Sequence, residues 1–237
     1  MIEAVDLVKE YRNDSVVTRV LNGLTFSIQE GEFVSIMGPS GSGKSTLMHI
    51  MGFLDRPTSG VYKFKGKSID ELSDDELARI RNKEMGFVFQ SFNLLPRTTA
   101  LDNVKLPLIY DNYTPKEEEE LARKAIEAVG LSHRLYHFPN QLSGGEQQRV
   151  AIARAIVNNP SVIFADEPTG NLDSKSGQQI IEILQKLNNE GRTIILVTHE
   201  RFTAEMAKRI IQIKDGKIIS DEKLKYQRIA VKDGLIK

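Results

Sequence analysis

Gly38-Pro39-Ser40-Gly41-Ser42-Gly43-Lys44-Ser45-Thr46 lies between the apolar run Phe33-Val34-Ser35-Ile36-Met37 and a second one, Leu47-Met48-His49-Ile50-Met51. That order predicts strand, phosphate loop and helix. Without a Cβ at 38, 41 and 43 the backbone can turn tightly and aim successive N–H groups at phosphate oxygens. The dipole of the helix opening near Lys44 acts in the same direction. Ser40, Ser42 and Thr46 complete the cradle. Lys44 is expected to reach the β- and γ-phosphates, and Ser45 to hold Mg²⁺. The stretch predicts a nucleotide-binding α/β protein with a P-loop NTPase core.

Composition bounds the partners. Lys+Arg and Asp+Glu both number 32, so no basic field draws the chain to nucleic acid, and no nucleic-acid partner is expected. The absence of cysteine excludes a disulfide framework, a thiol nucleophile and Cys-ligated zinc. It suits a reducing compartment. At 237 residues the chain fits one α/β domain carrying an insertion. Its longest apolar runs, such as Ile194-Ile195-Leu196-Val197, are strand-length, far below the roughly 18 residues of a membrane span, and no spanning segment is expected. Residues 1–10 alternate apolar with charged, unlike a signal peptide, and are expected to remain as a strand in the mature protein.

Outward from the loop, residues 2–8 and 24–28 alternate as strands, with turns expected at Asn13-Asp14 and Asn22-Gly23, giving an antiparallel start. Pro57-Thr58-Ser59-Gly60 breaks the chain, and Val61-Tyr62-Lys63-Phe64 forms a strand turned by Lys65-Gly66. Ser73-Asp74-Asp75-Glu76 is a capping box, and Met85-Gly86-Phe87-Val88-Phe89 a buried strand ending at Gln90. A helical pattern follows, with a second box at Thr114-Pro115-Lys116-Glu117 and a stop at Gly130. Strands return at 162–166, 193–197, 209–213 and 217–220, the last two joined by Asp215-Gly216, with an amphipathic helix over 175–189. The expected organisation is a single domain over 1–237. Its α/β core comes from 1–90 and 161–220, with a mostly parallel sheet and an N-terminal antiparallel β part. An inserted α-helical subdomain occupies 91–160, and the structure of the charged tail, 221–237, is left open.

Three more groups carry chemistry. Val162-Ile163-Phe164-Ala165-Asp166-Glu167 is a strand ending in two acids. Beside a phosphate loop, Asp166 would hold Mg²⁺ through water and Glu167 would orient and deprotonate the attacking water; in isolation such a pair reads as two solvated acids. His199 follows a strand and would point into the same crevice, to contact the γ-phosphate or fix the water, although a lone His at a strand end is usually structural. Leu142-Ser143-Gly144-Gly145-Glu146 opens a helix over 147–157. It is a capping box and also a second anion-binding helix N-terminus, which suggests a nucleotide held between two copies.

The phosphate loop, Gln90, the 142–146 signature, Asp166-Glu167, Gly170-Asn171-Leu172-Asp173 and His199 resemble, in order and spacing, the ATP-binding cassette (ABC) ATPases. More closely, the chain resembles ATP-binding subunits of the lipoprotein-release and macrolide-export, or mechanotransmission, type, for which Gly86-Phe87-Val88-Phe89-Gln90, Phe92-Asn93-Leu94 and residues 165–173 look typical. The resemblance covers about residues 1–220. It implies ATP and Mg²⁺, ATP hydrolysis, a second copy in a head-to-tail ATP-sandwich dimer, and a separate integral membrane permease holding the chain at the cytoplasmic face of the membrane. By the same resemblance Gln90 is a Mg²⁺ and water ligand that senses the γ-phosphate. Ser143, Gly144 and Gly145 close on the partner's ATP, and Asp173 crosses the dimer interface. Tyr11 stacks on adenine, a role that competes with plain packing of a strand-end tyrosine. Leucines within 92–110 read equally as a groove for the permease's coupling helix and as core. Glu200 stands where Asp is more usual, and the tail after 220 falls outside the pattern. The cell-division cassette ATPase is similar too and would regulate a membrane partner without transport. Repair and ribosomal cassettes share these motifs, but they carry coiled coils or paired cassettes, and no heptad run stands here.

Overall fold

The computed structural model describes residues 1–13 and 16–235; Asp14 of the expected Asn13-Asp14 turn lies outside them. In chain order the elements are β1 (Ile2–Asn13), β2 (Val16–Ile28), β3 (Phe33–Met37), α1 (Lys44–Met51), β4 (Ser59–Phe64), β5 (Lys67–Ser68), α2 (Asp74–Glu84), β6 (Met85–Val88), α3 (Ala100–Lys105), α4 (Pro115–Ala128), α5 (Gly144–Ile156), β7 (Val162–Asp166), α6 (Ser174–Asn189), β8 (Thr193–Thr198), α7 (Arg201–Ala204), β9 (Arg209–Lys214), β10 (Lys217–Lys223) and α8 (Ala230–Asp233). Two compact units divide the chain: Met1–Arg81 with Thr193–Arg228, and Asn82–Arg192 with the described part of Ile229–Lys237.

In the first unit β2, β1, β4 and β5 form the antiparallel sheet in that order. The second half of β2 buries Leu24, Phe26 and Ile28 and exposes Thr25 and Ser27, the period of a strand with one face on a core. β3 is parallel to β8 on one side and to β9 on the other, and β10 returns antiparallel on β9. Every residue of β3 and β8 is buried, as for parallel strands covered on both faces. The expected Asn22-Gly23 turn is not one. β2 runs through it, Leu7 pairing with Leu24 and Val8 with Asn22, so Gly23 at φ 79° is the extra residue of a bulge. The cause is tertiary: the Asn22 N–H and Nδ2 donate to the carbonyls of Gly216 (2.8 Å) and Asp215 (2.9 Å), which hold the dipeptide against the β9–β10 turn.

In the second unit β6 and β7 pair in parallel, Met85 opposite Val162 through Val88 opposite Ala165. The Phe87 and Phe164 rings stack at 5.4 Å. Helix α4 starts in the expected box, Thr114 accepting from the Glu117 N–H and Glu117 reaching back, and Gly130 at φ 73° follows its end. Helix α5 begins at Gly144, so the signature glycines form its first turn. The tail is folded: β10 runs to Lys223, the Ala230 N–H donates to Gln185 Oε1 at 3.0 Å, and Leu235 is buried beside Gly177. No helix among the described residues is long and apolar enough to cross a membrane.

Candidate active site

The first unit holds the phosphate loop between β3 and α1. Gly41 and Gly43 sit at φ 79° and 99°. A Cβ on Gly43 would stand 2.8 Å from Leu21 Cδ2 and 3.0 Å from the Val20 carbonyl oxygen, so β2 approaches too closely for any side chain. The Gly216 N–H donates to the Ser42 carbonyl at 3.2 Å, so the β9–β10 turn supports the loop as well. Ser42 Oγ is buried with no hydrogen-bond partner among the described residues. A buried hydroxyl left without a partner is rare, and a phosphate oxygen would satisfy it. Helix α1 has no side-chain cap and no acid in its first turn, leaving its first N–H groups to an anion. Lys44 is 7% exposed; its Nζ donates to the Gly38 (2.8 Å) and Pro39 (2.9 Å) carbonyls.

Tyr11 lies within β1, opposite Thr18. Its hydroxyl donates to Asp55 Oδ2 at 2.9 Å and is hydrogen-bonded to Thr46 of the loop, while the Lys9 ammonium sits 4.9 Å above its ring and pairs with Asp55 at 2.6 Å. This triad fixes an exposed ring beside the loop. The parallel ladder pairs Met37 with Thr198, so exposed His199 leaves β8 at the level where Gly38 leaves β3.

The second unit gathers Gln90, Asp166, Glu167, the signature and Asp173. Asp166 ends β7, and Glu167 follows at φ 46°, a left-handed backbone that costs a non-glycine residue of order 1–3 kcal/mol and recurs at functional sites. Its carbonyl accepts from the Gly170 N–H at 3.0 Å, closing a tight turn. Gln90 interlocks with the far side of that turn. Its Nε2 donates to Asn171 Oδ1 (3.3 Å), Asn171 Nδ2 donates to the Gln90 carbonyl (3.0 Å), and a Cβ on Gly170 would stand 2.6 Å from Gln90 Nε2. Asp173 caps α6, accepting from the Ser176 N–H at 2.9 Å, and its carboxyl is held below the usual range first by the Ser176 hydroxyl and then by that N–H.

Ser143 caps α5: it accepts from the Glu146 N–H at 3.3 Å, while its own N–H and hydroxyl donate to Glu146 Oε2, both at 2.9 Å. The capping-box and anion-site readings of this stretch therefore meet in one hydroxyl, whose proton must leave Glu146 to reach a phosphate. Gly145 is needed for packing. A Cβ there would stand 2.9 Å from Ser176 Oγ, at the start of α6. The Glu146 carboxyl is held down to about 2, first by the Ser143 N–H, then by the Ser143 hydroxyl and Arg134, against desolvation. A carboxylate lowered on folding stabilises the protein above its unfolded value of 4.5, and loses that contribution as pH falls through about 2. Glu146→Gln is therefore expected to melt below the wild type above pH 4.5 and to converge with it toward pH 2. A gap in melting temperature that stays constant across that range would contradict the assignment.

Leu101 and Leu108 are buried, so the 92–110 leucines divide. These two are core, whereas Leu95, Ile109 (62% exposed) and Tyr110 (82% exposed) face outward. Several residues escaped the sequence reading: Lys9 and Asp55 around Tyr11, Asn171 on Gln90, and Gln148 and Arg154 on α5. Gln148 had a visible signal, a polar residue on the apolar stripe that continues at Ala151, Ile152 and Ala155. Asp55 and Arg154 had none.

Residues 21–170 match the family model described as ABC transporter. The macrolide export ATP-binding/permease protein MacB of Bdellovibrio bacteriovorus is 53% identical over 226 residues, covering 94% of this chain and 34% of that protein. The chain thus spans about a third of the length of the macrolide export proteins it matches. An uncharacterized ABC transporter ATP-binding protein of Thermotoga maritima is 52% identical over 218 residues, 92% of this chain and 93% of that one. Among solved structures, a dimeric ATP-binding cassette in a post-hydrolysis state with ADP and Pi has 46% identity and a TM-score of 0.87, covering 95% of this chain and all of that one.

Proposed function

The chain belongs to the ABC transporter family, and from that membership we propose that it is an ATP-binding and ATP-hydrolysing subunit that drives a separate membrane permease. The observation that carries the reading is the phosphate loop, with its buried Ser42 hydroxyl lacking a partner among the described residues and Lys44 held on the loop carbonyls. Gly38, Ser40, Gly41, Ser42, Gly43, Lys44, Ser45 and Thr46 take the phosphates, and Tyr11 takes the adenine. Ser45, Gln90 and Asp166 offer only oxygen ligands, which suits Mg²⁺. No three His, Cys, Asp or Glu side chains cluster for a metal among the described residues, so phosphate oxygens and water would complete its shell. Bound Mg²⁺ would neutralise charge on the β- and γ-phosphates. Glu167 accepts a proton from the attacking water, with Gln90 and His199 orienting it.

Two copies close head-to-tail, Ser143, Gly144, Gly145 and Asp173 of each acting on the other's nucleotide, and hydrolysis reopens them. The dimeric cassettes in the solved structures support this reading. Residues 1–90 and 161–220 serve as catalytic core, and 91–160 as the part facing the permease at the cytoplasmic face of the membrane, through Leu95, Ile109 and Tyr110. Mg²⁺-dependent phosphate release by the purified chain is the first test. The second is Ser143→Arg, which is expected to bind ATP as a monomer like the wild type yet fail to dimerise with it and lose turnover. Sedimentation of the variant with ATP as a wild-type dimer would sink the shared-site model and leave Ser143 a helix cap.

A further inference from the structure

Gln148 is a wholly buried polar side chain, 0% exposed, that the chemistry above does not use. Its Nε2 donates to the Pro168 carbonyl at 2.7 Å and to the Phe89 carbonyl at 3.2 Å. Both partners are acceptors only, so the nitrogen must face them and the amide has one possible orientation. Pro168 follows Glu167, and Phe89 precedes Gln90. Gln148 Oε1 is buried without a hydrogen-bond partner among the described residues, so the side chain contributes its donor at the cost of an unsatisfied acceptor. Six residues along the same helix, Arg154 donates to the carbonyls of Phe92 (2.9 Å) and Asn93 (2.5 Å), two consecutive non-glycine residues at φ 60° and 50°. Helix α5 thus grips the chain on both sides of Gln90, and grips the Glu167 turn from the same side chain.

We propose that Gln148 is a positioning residue for hydrolysis, its bridge between two carbonyls setting Gln90 and Glu167 at one mutual spacing. This rests on reading Glu167 and Gln90 as hydrolytic residues. Both flanking turns hold left-handed residues, Glu167 on one and Phe92 on the other, and once the bridge is gone the exposed hydrogen bonds between Gln90 and Asn171 are left to hold the two together without a buried tie. A misplacement of about 1 Å can cost roughly 10²-fold in rate. The Lys44 hydrogen bonds, to the Gly38 and Pro39 carbonyls, share no partner with those of Gln148.

Gln148→Met keeps the length and removes the donor; Gln148→Asn keeps an amide but is one methylene too short to span both carbonyls. Both are to be assayed for kcat, KM for ATP and calorimetric ATP affinity, with Glu167→Gln alongside. The expected result is a kcat lowered by roughly 10- to 100-fold in each, with affinity unchanged. A wild-type kcat in either folded variant overturns the proposal, as does a loss that resides in ATP affinity. Failure of both to fold also overturns it, by making Gln148 a residue of the fold. Should Glu167→Gln turn over like the wild type, the hydrolytic reading falls and takes this proposal with it. If Glu167→Gln is inactive while Gln148→Met keeps its kcat, only the bridge falls.

Discussion

Glu167→Gln is expected to retain ATP and Mg²⁺ while losing roughly 10²–10⁴-fold in turnover, the usual worth of general-base assistance. The amide preserves the shape of the side chain but cannot take the water's proton. Gln is no better suited than Glu to φ 46°, so the cost of the left-handed turn is the same in both proteins and the Gly170 N–H still closes it. Fold and loss of activity are therefore separable at this position. With hydrolysis slowed and association untouched, the ATP-bound dimer should accumulate, helped by removal of a negative charge near the γ-phosphate. The experiment is size exclusion with ATP and with ADP, beside a phosphate-release assay. Hydrolysis near the wild-type rate would refute the role of Glu167. An inactive variant that stays monomeric with ATP would count against ATP-driven dimerisation of the isolated chain.

What the residues announced in advance is what neighbouring residues decide among themselves. Thr114 with Glu117 and Ser143 with Glu146 are complete capping boxes within four residues, and both form. Lys65-Gly66 and Asp215-Gly216 are turns with positive φ at both positions. The phosphate loop is likewise a local device, legible because glycine spacing and a following Lys-Ser leave few other uses. What stayed hidden depends on partners far along the chain. Asn22-Gly23 carries a turn signal as strong as that of Asp215-Gly216, yet Asn22 is captured by that very turn, 193 residues on, and becomes part of a strand. Asp55 reads as one acid in a loop until Lys9 and Tyr11 are folded onto it. Phe92 gives no warning of a left-handed backbone, because Arg154, which sustains it, lies 62 residues away. The tail read as charged and unassigned because its anchors, Ala230 on Gln185 and Leu235 beside Gly177, are single contacts with no periodicity.

Lys44→Ala is expected to abolish tight ATP binding while leaving a folded protein. A unit charge about 4 Å from a phosphate oxygen is worth about 4 kcal/mol at an effective dielectric constant near 20, which corresponds to roughly 10³-fold in affinity. The same ammonium also holds the Gly38 and Pro39 carbonyls, so the substitution removes two charge-assisted hydrogen bonds from the loop itself. Loss of affinity could then arise from the missing charge or from a collapsed loop, and ligand choice separates the two. In the proposed role Lys44 meets the β- and γ-phosphates, so a missing charge would weaken ATP strongly and leave AMP, which lacks both groups, almost unaffected. A collapsed loop weakens both alike. Raised salt should narrow the gap between wild type and variant for ATP only, since screening acts on the Coulombic part. Calorimetry with Mg²⁺ and each nucleotide is the measurement. ATP affinity within tenfold of the wild type would remove Lys44 from the phosphate site, and an equal loss for ATP and AMP would make it a residue of loop architecture instead.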